Sequence, residues 1–208
     1  MKRIATAVLG LALAFPAIGA EPGIEGLYQK LPTPQPTSDP DRIEVVEVFW
    51  YGCPHCNRFQ PFLEPWIESL PDHVRFVRMP AVFSDVWELH ARAYYIAAAL
   101  GVLDEIHPRI FAAIHDEGRR LETLDAIRDF FVAHGVDASD FDKQANSFSV
   151  KSGVQRSLVM QRGYGLRGVP ALIVNGRFLV SGSTAGSYPK VLEVTDALVA
   201  REHEAAGG

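Results

Sequence analysis

The stretch Cys53-Pro54-His55-Cys56 constrains this chain more than any other, because it holds the only two cysteines among 208 residues. Two thiols three positions apart can close a disulfide across one helical turn. As a staple such a bridge is weak: the chain-entropy model gives a four-residue loop about 2 kcal/mol, against ~4.7 kcal/mol for a 100-residue loop. A chain using cysteine for stability would not place its only bridge there. The pair reads as a redox couple, with its chemistry at Cys53.

The N-terminus sets the compartment. Lys2 and Arg3 precede an apolar run from Ile4 to Ala17, broken only by Thr6 and Gly10, and Gly19-Ala20 follow as small residues. This is the pattern of a secretory signal peptide over residues 1–20, cleaved near Ala20. An uncleaved anchor fits less well, since the run falls short of the roughly 20 residues a span needs and has Pro16 at its end. Export would carry the cysteines to an oxidising compartment, where a disulfide persists. The form suits a bacterial exporter, so the periplasm is the expected destination, although composition alone does not separate it from secretion. Without Lys2 and Arg3 the chain keeps 18 basic and 25 acidic side chains, a net charge of −7. Nucleic-acid binding wants a basic stripe instead, and simple docking on anionic lipid is equally disfavoured.

Hydrophobic patterning orders the rest. Residues 21–42 are rich in Pro and Gly and read as an extended arm. Residues 43–51 form a strong β run ending at Gly52. After the cysteine turn, Asn57 to Ser69 predicts a helix with Phe59, Phe62, Leu63, Trp66 and Ile67 on its core face, kinked or interrupted at Pro61 and Pro65. Val74 to Met79 is a second strand. Helices are then predicted over Asp85–Leu100, Asp104–His115 with Pro108 in its first turn, Thr123–His134, Ala138–Asn146 and Ser149–Arg162, their ends marked by Gly101, Gly135 and Thr123. Ala171–Val174, Asn175-Gly176 and Arg177–Val180 make a hairpin with a type I′ turn. A helix over Ser187–Glu202 closes the chain.

A C-x-x-C beside a βαβ pattern reads as thioredoxin-like. The fold class is therefore α/β, a central mixed sheet flanked by helices. The thioredoxin-like domain is discontinuous, residues 21–83 and 150–208, and residues 84–149 are an inserted helical subdomain with its own apolar periodicity. Strand 43–51 delivers Cys53 to a helix start, where unpaired N–H groups and the dipole favour a thiolate. Pro54 fits the first turn, and His55 adds a donor or a positive charge. Cys56, one turn further in, is expected to be the more buried thiol. It resolves the mixed disulfide that Cys53 forms in exchange. Gly168-Val169-Pro170 leads the hairpin. In a thioredoxin-like fold this loop lies against the cysteine turn with a cis X–Pro bond, so that the Val169 backbone pairs with an extended substrate and Pro170 keeps a metal or larger group off the sulfurs. The plainer reading of Pro170 is an ordinary strand-leading proline. Glu47 is either buried beneath the turn, where it takes or relays the proton of Cys56, or on an edge strand facing water. Glu44 is read as solvent-facing. A zinc site needs two more ligands, and the remaining histidines lack the spacing to supply them.

The runs Glu47-Val-Phe-Trp-Tyr-Gly-Cys53-Pro-His-Cys56, Asn146-Ser-Phe-Ser-Val-Lys-Ser152 and Leu166-Arg-Gly-Val-Pro-Ala171, with Val174-Asn-Gly176, resemble the DsbA family of periplasmic thiol oxidases. The resemblance covers nearly the whole mature chain. It implies a monomer whose Cys53–Cys56 disulfide, with no further cofactor and no metal, is donated to reduced exported polypeptides and restored by a membrane quinone-linked reoxidant of the DsbB type. The family residues carried over are Cys53, Cys56, His55, Pro170, Val169 and Glu47. One departure is visible: the family often has a lysine in the second strand, where this chain has Arg78, which cannot release a proton as lysine can. A disulfide isomerase or reductase of the same fold is the near alternative, although isomerases carry an extra dimerisation domain and only a 22-residue arm precedes the first strand here. A non-redox binding module is the distant one.

Overall fold

A computed structural model describes residues 23–207; the signal peptide expected over residues 1–20 lies outside the described residues. The strong β run after the Pro- and Gly-rich segment builds the centre of the fold. Strand β2 (Ile43–Phe49) is buried at every position. It pairs in parallel with β3 (Val74–Pro80) across the crossover helix α1 (Pro54–Glu68). On its other edge it pairs antiparallel with β4 (Ala171–Val174). β4 turns back into β5 (Phe178–Ser181) through Asn175 and Gly176, both at positive φ, 49° and 61°, as a type I′ turn demands. With β1 (Gln29–Lys30) on the outside, the mixed sheet has the order β1-β5-β4-β2-β3.

β1 corrects the reading of residues 21–42 as an arm alone. The segment pairs antiparallel with β5, and its extension is fastened by Leu31 N–H to Arg177 O and Gln35 N–H to Gly176 O, both 2.8 Å. A two-residue edge strand leaves no alternation to read. The same arm overturns the expectation for Glu44. That side chain is 5% exposed, because Ser38 folds over it and donates its backbone N–H to the carboxylate at 2.9 Å.

Helix α1 is also longer than expected. It starts at Pro54 and runs unbroken through Pro61 and Pro65. The two prolines lie one turn apart on an exposed face, so the carbonyls they leave unpaired can meet water. Phe62, expected in the core, is 45% exposed, and the buried face consists of Cys56, Phe59 and Leu63.

Between β3 and β4 the chain forms α2 (Asp85–Leu100), α3 (Leu103–His115), α4 (Leu124–Ala133), α5 (Ala138–Ala145) and α6 (Phe148–Gly163). Gly101 ends α2 at φ 70°, and the Thr123 hydroxyl caps α4 by accepting from Ala126 N–H. Pro108 sits inside α3 rather than in its first turn, since the helix begins at Leu103. A short α7 (Gly182–Ala185), absent from the sequence reading, leads into α8 (Tyr188–Ala205). The helices of the 84–149 segment do not enclose a separate core: Phe49, Tyr51, Cys53 and Cys56 belong to the same buried cluster as Ile96, Ile110, Phe130 and Phe141.

One polar clasp joins α6 to the segment after β3. Buried Gln161 accepts from Val82 N–H and donates to Val82 O, both at 2.7 Å, in the manner of a strand. Gln161→Ala leaves both backbone groups buried and unpaired, a cost of about 2–4 kcal/mol; the urea midpoint should fall accordingly at unchanged slope.

Candidate active site

The end of β2 carries the cysteine turn into α1. Tyr51 is anchored at both ends: its hydroxyl meets His107 Nδ1 at 2.9 Å, and its carbonyl accepts from His115 Nε2 at 2.7 Å. Trp50 stacks on Trp87 with centroids 4.2 Å apart. Its indole lies directly over Gly52, where a Cβ would come within 2.4 Å of the ring. Only glycine lets the aromatic rim close on the backbone just before Cys53.

Cys53 is the N-cap of α1, and its sulfur takes the place of a capping oxygen: Cys56 N–H donates to Cys53 Sγ at 3.4 Å. The Cys53 pKa falls to about 6. The adjacent Cys56 thiol is the largest cause, burial opposes it, and the backbone N–H groups of Cys56 and His55 add to it, with the charge of His55 contributing least. The helix start outweighs the imidazole. Cys56 is fully buried, and burial pushes its thiol well above the ordinary range. Pro54 and His55 are exposed. The His55 ring accepts from Arg58 at 3.1 Å, and Tyr188, from the far end of the chain, donates to the His55 carbonyl at 3.0 Å.

The expected loop is in place opposite the turn. The Val169–Pro170 bond is cis, and the Cys53 thiol donates to Val169 O at 3.6 Å. A cavity of about 750 Å³ opens beside it, lined by His55, Leu166, Val169, Pro170, Leu179 and Tyr188 among others. Among the described residues no three His, Cys, Asp or Glu side chains gather as a metal would require, and no helix is long and apolar enough to cross a membrane.

Glu47 is fully buried, because β2 is an interior strand. Its register partner on β3 is Arg78, whose Nε lies 3.2 Å from the carboxylate. Gln60, one turn beyond Cys56 on α1, donates to the same carboxylate at 2.9 Å. Arg78 also holds surface Glu64 at 2.5 Å. Burial wins over these partners and raises the Glu47 pKa to about 7, with Arg78 the strongest opposing influence. Sequence reading missed Gln60 and Tyr188. The i, i+4 spacing from Cys56 is the only signal for Gln60, and none points from residue 188 to the turn.

The description "DSBA-like thioredoxin domain" belongs to the family model that matches residues 44–186. The chain belongs to the DsbA family. The thiol:disulfide interchange protein DsbA of Pseudomonas aeruginosa is 38% identical over 205 residues, 98% of this chain and 97% of that protein. Its namesake from Azotobacter vinelandii is 39% identical over 178 residues, 86% and 83% of the two chains. The crystal structure of Pseudomonas aeruginosa DsbA aligns with a TM-score of 0.84 at 38% identity, over 88% of this chain and 95% of that one. This DsbA-family protein is a thiol:disulfide oxidoreductase of thioredoxin-like fold whose redox group is its own cysteine pair.

The two thiols of the reduced protein should titrate far apart. Thiolate absorbance and alkylation by iodoacetamide should report one group with a midpoint near pH 6, Cys56 remaining protonated well above it. Because the Cys53 pKa is depressed, its stabilisation of the dithiol form is fully present above the free value of about 8.5 and is lost as pH falls through about 6.

Glu47 carries the opposite sign. Its folded-state pKa of about 7 lies above the ordinary 4.5, so the native state holds the proton more tightly and stability declines as pH rises between them. Glu47→Gln should remove that slope. It should stabilise the protein at pH 8 by on the order of 3 kcal/mol and change little at pH 5, as read from urea unfolding at the two pH values.

Proposed function

We propose that this protein is a disulfide oxidase, donating its Cys53–Cys56 disulfide to reduced exported polypeptides in the periplasm. The observation that carries the reading is the asymmetry of the pair: the Cys56 thiol, with help from the backbone N–H groups that cap the sulfur, pulls Cys53 down to about 6, while Cys56 is buried and pushed up. A disulfide whose reduced form is stabilised as a thiolate gives itself away readily.

A substrate thiolate attacks Cys53 Sγ, the Cys53–Cys56 bond breaks, and Cys56 leaves and takes up a proton. Glu47, buried near Cys56 with a pKa of about 7, is the group placed to supply it. A second substrate thiolate then attacks the substrate sulfur of the mixed disulfide and expels Cys53 as a thiolate. Two electrons pass from the substrate sulfurs to the cysteine pair, and the substrate keeps the new disulfide. A membrane quinone-linked partner of the DsbB type removes those electrons and closes the cycle. Val169 and Pro170 present the backbone edge and apolar wall against which an extended substrate lies, with His55 and Pro54 on the exposed rim. The protein acts as a monomer. In this scheme residues 21–83 and 150–208 form the thioredoxin-like body, and the inserted helices of residues 84–149 cover one side of the turn.

Equilibration with glutathione at pH 7 tests the direction of transfer. The pair should be reduced under conditions that leave a thioredoxin, at about −270 mV, oxidised; a potential at or below that value would replace the oxidase with a reductase. Cys53→Ser should abolish disulfide formation in reduced, unfolded substrates. Activity retained by that variant in cells lacking another oxidase would favour a binding role.

A further inference from the structure

Tyr188 stands at the first position of α8, which Ser187 caps by accepting from Lys190 N–H. Its half-buried ring packs against Phe59 and Phe62, with centroids 5.2 and 5.7 Å away, so the hydroxyl is aimed rather than free. That hydroxyl donates to the His55 carbonyl at 3.0 Å. The N–H on the other side of the same peptide group belongs to Cys56, and it donates to Cys53 Sγ at 3.4 Å. The two bonds therefore meet in one conjugated amide. A donor on the oxygen draws density from the nitrogen and makes the N–H a stronger donor in turn.

We propose that Tyr188 is a positioning residue of the redox site: its hydroxyl polarises the His55–Cys56 peptide group, whose N–H holds the Cys53 sulfur as the thiolate. The inference rests on the oxidase reading above, in which thiolate stabilisation sets the direction of exchange. The Cys56 N–H is among the groups that lower the Cys53 pKa, so strengthening it acts where the site is already tuned. The His55 ring is the competing route, since its Nδ1 lies 3.4 Å from the same hydroxyl. Its nearer partner is Arg58 at 3.1 Å, and the carbonyl is the better acceptor for Tyr188.

Tyr188→Phe removes one oxygen and keeps the ring packing. It should raise the thiolate midpoint of Cys53 by about 0.3–0.7 unit and lower the glutathione equilibrium constant about two- to fivefold. A purely structural role would shift the unfolding midpoint and leave both values alone, which would overturn the proposal. Repeating the substitution in a His55→Ala background separates the routes. The backbone carbonyl survives there, so the shift should persist; a shift that vanishes with the imidazole would also overturn it. Should the phenylalanine variant not fold, 3-fluorotyrosine at position 188 keeps the hydroxyl and makes it a stronger donor. The Cys53 midpoint should then move down, and an unchanged or raised midpoint would reject the mechanism. The wild-type glutathione constant tests the oxidase reading independently of any of these differences.

Discussion

A sulfur at the head of a helix governs the rest of this structure. The first N–H groups of any α-helix have no intrahelical partner, and the usual solution is a hydroxyl or carboxylate at the N-cap. Here the cap is Cys53, and Cys56 N–H is directed at its Sγ. The helix thus has an incentive to keep that sulfur charged, because a thiolate accepts the bond better than a thiol. Cys56, fixed one turn inward by the same helix, inherits the opposite environment: full burial, with a neighbouring sulfur that raises rather than lowers its pKa. One geometric element therefore gives two chemically identical side chains different roles.

Beneath the turn a second opposition is at work. Parallel register sets Glu47 beside Arg78, and a pair at 3.2 Å would ordinarily keep a carboxylate ionised. Desolvation outweighs it here because Glu47 is fully buried, and the surface carboxylate Glu64, which shares Arg78, adds a smaller push in the same direction. The result is a buried acid that exchanges its proton near neutrality, on the strand that ends at the cysteines. A lysine at position 78 would offer a second exchangeable proton, whereas the guanidinium holds its own permanently. Of the buried pair, Glu47 is therefore the member with an exchangeable proton.

Much of this was legible in the sequence, and the reasons differ by element. β2 announced itself through a run in which five of seven residues, Ile43, Val45, Val46, Val48 and Phe49, are strand formers, and α2 through its periodicity and the left-handed Gly101 that stops it. The redox pair, the Gly168-Val169-Pro170 loop and the burial option for Glu47 followed from local pattern together with the family resemblance. What escaped is what depends on distant partners. Glu44 looked solvent-facing because nothing local shows Ser38 folding back over it. Helix α1 looked breakable because the prolines' exposure on one face is a tertiary fact. β1 exists only because β5 offers it an edge.

The same distinction explains why the turn needs the whole chain. Cys53 and Cys56 are a local motif, yet the groups that bear on them arrive from far away in sequence: Val169 O from the loop before β4, His115 through Tyr51 from α3, and Tyr188 from the start of α8. Each reaches the turn through backbone carbonyls or the sulfur itself, which any sequence of the turn would present. Their effect is set by where α3, α8 and the Val169 loop stand, not by the identity of the two residues between the cysteines. Two chains sharing Cys-Pro-His-Cys can therefore differ in how firmly they hold the thiolate, because the motif supplies the capped sulfur while remote contacts such as the Tyr188 hydroxyl adjust the peptide group that caps it.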